Sequence, residues 1–122
     1  MAKHIDLGNE GEDLAKALLL QKNYQILETN WRNGRAEIDI IAKDGETLVF
    51  VEVKTRSNDT TQKPQEAVGR KKQKLIVRGA TFYAQKIKHD WEIRFDIIAI
   101  THFKNPPTIN HIIDAFYPDW TW

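Results

Sequence analysis

The sequence predicts an α/β domain, a central sheet flanked by helices. Three observations carry this reading. Leu14, Ala15, Leu18 and Leu19 give helical apolar spacing near the N-terminus. Two β-rich runs in the centre are separated by an Asp-Gly pair. A long helical pattern then precedes two further β-rich runs.

Taken in order, residues 8 to 21 read as a helix, with Asn9 and Glu12 spaced as a capping box. Tyr24 to Thr29 reads as a short strand. Glu37 to Ala42 and Thr47 to Lys54 form a hairpin about Lys43-Asp44-Gly45-Glu46. Residues 57 to 65 are polar and read as a loop. Glu66 to Ile87 reads as one helix through Val68, Leu75, Ile76, Ala80 and Tyr83. Phe95 to Ile100 is a strand, Pro106-Pro107 a break, and Ile109 to Ala115 a last strand.

A chain of 122 residues fits a single domain spanning 1–122, too short for a second independent core. The absence of cysteine excludes disulfides, thiolate metal sites and cysteine nucleophiles. Met1 to Asp6 lacks the layout of a signal peptide, and no apolar run is long enough to span a bilayer. The chain therefore reads as soluble and cytoplasmic, with no membrane partner. Its formal net charge of +1 means that attraction to an acidic polymer must come from local segregation of charge.

The chemistry concentrates in the central hairpin. Strand side chains alternate faces, so Leu48, Phe50, Glu52 and Lys54 share one face and Val49, Val51 and Val53 the other. With Asp44-Gly45 as a two-residue loop, Lys43 pairs with Glu46 and Asp39 falls opposite Phe50. Asp39, Glu52 and Lys54 then project to one side, the two carboxylates diagonal neighbours roughly 7–8 Å apart at the backbone. Carboxylates on a half-buried face repel unless a cation compensates them. That cation is Lys54 alone, or Lys54 together with a hard, oxygen-seeking ion such as Mg²⁺. Paired polar residues at a strand end would produce the same spacing.

These residues resemble a known pattern. Asp39 followed by Glu52-Val53-Lys54 looks like the PD-(D/E)xK signature of restriction-endonuclease-like nucleases. The wider chain resembles the YraN-like family of small uncharacterised bacterial proteins described as endonuclease-related. The matching segments are Gly8 to Ala15, Asn30-Trp31-Arg32, Glu37 to Ala42, Val49 to Arg56, Ala67-Val68, Lys72, Arg94-Phe95-Asp96 and Asp114-Ala115-Phe116. This chain has Ala36 where relatives usually carry glycine, and it lacks the leading proline of the signature.

The resemblance implies a restriction-endonuclease-like αβββαβ core with a mixed sheet, also similar to archaeal Holliday-junction resolvases. It implies a DNA endonuclease dependent on Mg²⁺ or Mn²⁺, with branched or structured DNA as the expected substrate. Asp39 and Glu52 would hold the metal, Lys54 would serve the attacking water, and Glu12 would complete the acidic cluster. Glu12 also suits a helix-capping role. A symmetric cutter would need two copies, which makes a homodimer one expected assembly. The alternatives are a non-catalytic nucleic-acid-binding module on a nuclease fold, or a subunit whose basic helix meets an acidic protein.

Charge is segregated further along. Between Lys63 and Lys88 stand eight basic residues and one acid, Glu66. Arg70, Lys74 and Arg78 recur at four-residue steps with Lys71 beside them, a face expected either to be solvated or to track a nucleic-acid backbone. Lys72 interrupts the apolar stripe and is expected to reach the acidic cluster, neutralising carboxylates or contacting phosphate. Arg32 and Arg56 flank the site and suit bidentate phosphate contact. Asp96 is expected to pair with Arg94 or a helix lysine. The four histidines read as surface residues, and Trp120 and Trp122 as a tail that packs on the core or on another subunit.

Overall fold

The computed structural model describes residues 7–56, 63–101 and 105–119. Side chains are described for these except at 7–9 and at 64–65. His4, His102, Trp120 and Trp122 therefore lie outside the described residues. The element order is α1 (Leu7–Gln21), β1 (Gln25–Asn33), β2 (Ala36–Asp44), β3 (Thr47–Arg56), α2 (Pro64–Ala67), α3 (Arg70–Lys86), β4 (Ile93–Thr101) and β5 (Thr108–Ile112).

The five strands form one sheet in chain order. β3 and β4 run parallel and every other neighbouring pair is antiparallel, so the sheet is mixed. The segment between β3 and β4, which includes α3, supplies the crossover that parallel neighbours require. Each face buries its own core. α1 covers one side, where Ala15 and Leu19 pack with Ile40, Val49, Val51, Ile98 and Ile100. α3 covers the other, where Ile76, Ala80 and Tyr83 pack with Ile41, Leu48, Phe50 and Phe95. α3 approaches β2 closely because residue 79 is glycine. A Cβ there would stand 2.8 Å from the Cβ of Ala36 and 3.2 Å from the Trp31 ring.

The hairpin register differs from the sequence expectation. Asp44 pairs with Thr47 and Lys43 with Leu48, so the loop is Gly45-Glu46. The reason is local. Gly45 is the turn residue at positive φ (+60°), and a glycine in the first loop position is one of the two favoured hairpin turns. The shift is two residues, so the side chains from Ile40 to Asp44 keep their predicted faces, and the ladder ends at Ile40 opposite Val51, next to Asp39 and Glu52. The β1–β2 turn is built the same way, with Gly34 at φ +59° and Asn33 paired with Ala36. Ala36 is an ordinary strand residue, since the positive φ falls at Gly34.

Other boundaries also moved. α1 begins at Leu7, which places Asn9 and Glu12 inside the helix and leaves no capping box. β1 runs to Asn33 because a register shift near Leu27 and a positive φ at Asn30 (+50°) break its alternation without ending it. The long helical pattern is two helices, interrupted where Val68 and Gly69 are extended. Val68 is buried in the core, and Gly69 is a weak helix former. β5 stops at Ile112, ahead of Asp114 at φ +56°, and the chain then turns so that Phe116 packs on Phe95.

A buried polar network fixes the α1 side of the sheet, from Asp96, level with Val51, toward the β2–β3 turn. Asp96, fully buried, accepts two bonds from the Arg94 guanidinium at 2.9 Å and one from the Asp114 amide at 3.1 Å. His111 Nε2 lies 2.8 Å from the same carboxylate. Arg94 also donates to Asp44 and Tyr24, tying the β2–β3 turn and the start of β1 to β4. Burial alone would raise the Asp96 pKa, but the bonds from His111, Arg94 and the Asp114 amide outweigh it and hold the carboxyl below its usual range. The expected Arg94–Asp96 pair is thus present. His111 is a correction: its side chain is 3% exposed, because Asp96 gives it a partner inside the fold.

Candidate active site

Two local irregularities assemble the acidic residues. Ile38 and Ile41 pack on the α3 side of the sheet, whereas Ile40 packs on the α1 side. Uninterrupted alternation would put Ile38 and Ile40 on one face, so β2 turns over at Asp39. The ladder with β3 is regular from Asp44 to Ile40. Beyond it, the Asp39 carboxylate takes the place of a backbone acceptor, receiving the Val53 N–H at 2.8 Å. On the other side lies the positive-φ residue Asn30 of β1. A carboxylate at this turnover point meets residues from both faces.

Glu12 arrives from α1. Its position one turn before Ala15 and two before Leu19, both fully buried, aims it at the sheet. With the Asn30 amide oriented to donate, its nitrogen lies 3.0 and 3.2 Å from the two Glu12 oxygens. Burial and then the charge of Asp39 raise the Glu12 pKa, partly offset by the Asn30 bond. Since Glu12 sits in the second turn of α1, the helix-capping alternative falls away.

Glu52 arrives from the α3 side and is 4% exposed. Burial first, then hydrogen bonding to and repulsion by Asp39, push its carboxyl up to about 8, against the opposing pull of Lys72. Lys72 reaches across from α3 and forms an ion pair with Glu52. Glu52 and the nearby acids Asp39 and Glu37 raise the Lys72 pKa against the effect of burial. It is Lys72, and not Lys54, that neutralises Glu52. Lys54 lies two residues further on the same face, half-buried.

Arg56 continues that face to the end of β3. One of its guanidinium nitrogens is buried with no hydrogen-bond partner among the described residues. A buried donor without a partner costs about 1–3 kcal/mol, so an arriving anion would be favoured there.

The basic residues divide. Lys71, Lys72 and Arg78 line open grooves beside α3. Arg70 instead bonds Asp119 at 3.0 Å, so it anchors the C-terminal segment as well as belonging to the predicted stripe. Lys74 is half-buried on the same helix. Arg32 is exposed and pairs with Glu37 at 3.4 Å. Two contributors were not singled out from the sequence. Asn30 stood within a matching segment and carried a signal, since asparagine tolerates positive φ. Arg35 is the second residue of the Gly34-Arg35 turn, which the strand pattern of β1 concealed.

Among the described residues no three of His, Asp and Glu are grouped closely enough to hold an ion by themselves. The donor chemistry nonetheless suits Mg²⁺ or Mn²⁺. Mg²⁺ is commonly held by one or two carboxylates, with waters and substrate phosphate completing its shell. Asp39 and Glu52 supply two such carboxylates, and their mutual repulsion is what a cation relieves.

No helix among the described residues is long and apolar enough to cross a membrane. Comparison with known proteins covers nearly the whole chain. Residues 11–100 match the family described as "Uncharacterised protein family UPF0102". A UPF0102 protein of Phocaeicola vulgatus is 43% identical over 97% of this chain and 98% of its own. One of Christiangramia forsetii is 47% identical, and one of Flavobacterium psychrophilum 49%, each over 96% of this chain and 98% of its own. On these matches the chain belongs to the UPF0102 family.

Proposed function

We propose that this protein is a divalent-metal-dependent endonuclease of the restriction-endonuclease-like type, hydrolysing phosphodiester bonds in DNA. The observation that supports it most is the convergence of Asp39 and Glu52, from adjacent strands, with Glu12 beyond them and Lys54 on the same strand face. Three carboxylates gather there, and burial first, then the neighbouring Asp39, raises the pKa of Glu12 and of Glu52, a cost that a bound cation would relieve. The order αβββαβ and the Asp39…Glu52-Val53-Lys54 pattern fit the same reading.

Asp39 and Glu52 would hold Mg²⁺ or Mn²⁺. When bound, such an ion lowers the pKa of a coordinated water and neutralises charge on the phosphate. Lys54 would orient the attacking water or stabilise charge on the phosphoryl oxygens. Glu12, held by Asn30, would complete the acidic cluster. Lys72, paired with Glu52 here, would be released by a metal held at Glu52 and could then contact the substrate phosphate. Arg56 offers its unpartnered nitrogen to a neighbouring phosphate. Because Glu12 and Glu52 have raised pKa values, metal affinity should weaken as pH falls.

The test is incubation of purified protein with junction, flap and linear DNA under Mg²⁺ or Mn²⁺. Metal-dependent cleavage that Glu52→Gln and Lys54→Ala each reduce by on the order of 10²-fold or more is expected. Cleavage that both variants retain in full would point to a contaminant. Structured or branched DNA is the expected preferred substrate, and DNA the partner.

A further inference from the structure

A second concave surface abuts the acidic cluster. It is an open groove of about 490 Å³ between α3 and the start of β2. Ala67, Leu75 and Ile76 make an apolar floor, and Arg35, Lys71 and Lys72 a cationic rim. Glu37 also lines it, with its charge engaged by Arg32. A second hollow of about 270 Å³ shares Arg35 and Leu75 and adds Arg78, so the surface continues along the helix. Lys72 belongs both to this groove and to the ion pair with Glu52, which fixes where the groove begins.

The pairing of floor and rim selects the occupant. A phosphate alone would need the rim but not the floor. A duplex presents phosphates outward and keeps its base faces stacked, so it would leave the apolar floor against water. An unpaired nucleotide offers both a charged phosphate and a flat apolar base. The volume lies within the roughly 300–1,000 Å³ usual for pockets that enclose small organic groups. We infer that this groove binds the unpaired nucleotides of a single-stranded nucleic-acid segment adjoining the acidic cluster. The inference rests on the nucleic-acid reading above but not on cleavage. Each strand passing Glu52 would lay its free bases on Ala67 and Leu75 with phosphates toward Arg35 and Lys71.

Fluorescence anisotropy in EDTA tests this without cleavage, using a labelled oligothymidine of about twelve nucleotides and a duplex of equal length. Wild type should bind the single strand several-fold more tightly than the duplex. Gly69→Glu places a carboxylate at the lip of the groove. A Cβ at residue 69 meets nothing within 4 Å, and a carboxylate suits the N-terminus of α3, so folding is preserved. Arg35→Glu reverses charge on an exposed turn. Each variant should lose about tenfold in single-strand affinity, equivalent to roughly 1.4 kcal/mol, with an unchanged thermal midpoint. Equal binding of strand and duplex by wild type overturns the inference, as does wild-type single-strand affinity in either variant. Cleavage that persists when the strand preference is absent rejects the groove alone. A strand preference that persists without any metal-dependent cleavage rejects the nuclease reading alone.

Discussion

Replacing Asp39 by asparagine is expected to abolish metal-dependent cleavage while leaving the metal-free protein folded and no less stable. The asparagine carbonyl can still accept the Val53 N–H that Asp39 now receives at 2.8 Å, so the junction of β2 and β3 persists. What disappears is a charge that raises the pKa of Glu12 on one side and of Glu52 on the other. Metal stabilisation of a phosphoryl transition state is worth several kcal/mol, so the loss should be on the order of 10³-fold or more. Cleavage rates and thermal midpoints in EDTA, measured on the same preparations, check both halves. An Asp39→Asn protein that cleaves within about tenfold of wild type would remove Asp39 from the machinery.

The largest effect on stability is expected in the buried network around Asp96. Asp96→Ala leaves the Arg94 guanidinium, 14% exposed, and His111, 3% exposed, without the carboxylate that satisfies them. Breaking a buried ion pair by removing one partner costs about 3–5 kcal/mol. Against a total of about 5–15 kcal/mol for a typical domain, that is enough to unfold much of the protein near physiological temperature. Urea unfolding measures it, and a loss below about 1 kcal/mol would mean that the network is held by its other members. The pH dependence has a definite sign. The Asp96 pKa is lowered in the folded protein, so its contribution is fully present above the ordinary value of 3.8 and is lost as pH falls through the folded one. Asp96→Ala should therefore flatten the acid limb of the stability curve below about pH 4, leaving the neutral-to-alkaline limb unchanged in shape.

Much of this architecture was legible in the residues. The apolar spacing of α1 and α3 and the β-rich runs placed seven of the eight elements, all but the short helix Pro64–Ala67. Strand alternation put Asp39, Glu52 and Lys54 on one side of the hairpin without reference to relatives. The two-residue register shift keeps the faces of Ile40 to Asp44, because the side-chain period of a strand is two. Alternation breaks at Asp39, whose carboxylate instead receives the Val53 N–H. Other features escaped because they depend on distant partners. Nothing local to β5 marks His111 as buried, since its partner Asp96 comes from β4. The turnover of β2 at Asp39 lies beside a positive φ at Asn30 in the neighbouring strand, which no periodicity within β2 records. The break at Val68-Gly69 was visible in composition, as a glycine within a helical run, but the helical spacing on either side of it masked the interruption.

The claim on which the rest depends is that Asp39 and Glu52 form a metal centre. A crystal soaked in Mn²⁺, with anomalous scattering recorded, tests it directly. The expected result is one anomalous peak between the two carboxylates, at roughly 2.1–2.3 Å from an oxygen of each, with Lys72 withdrawn from Glu52. An anomalous map with no peak there, and Lys72 still paired with Glu52, would contradict the account and leave the acidic cluster as a structural ion-pair network.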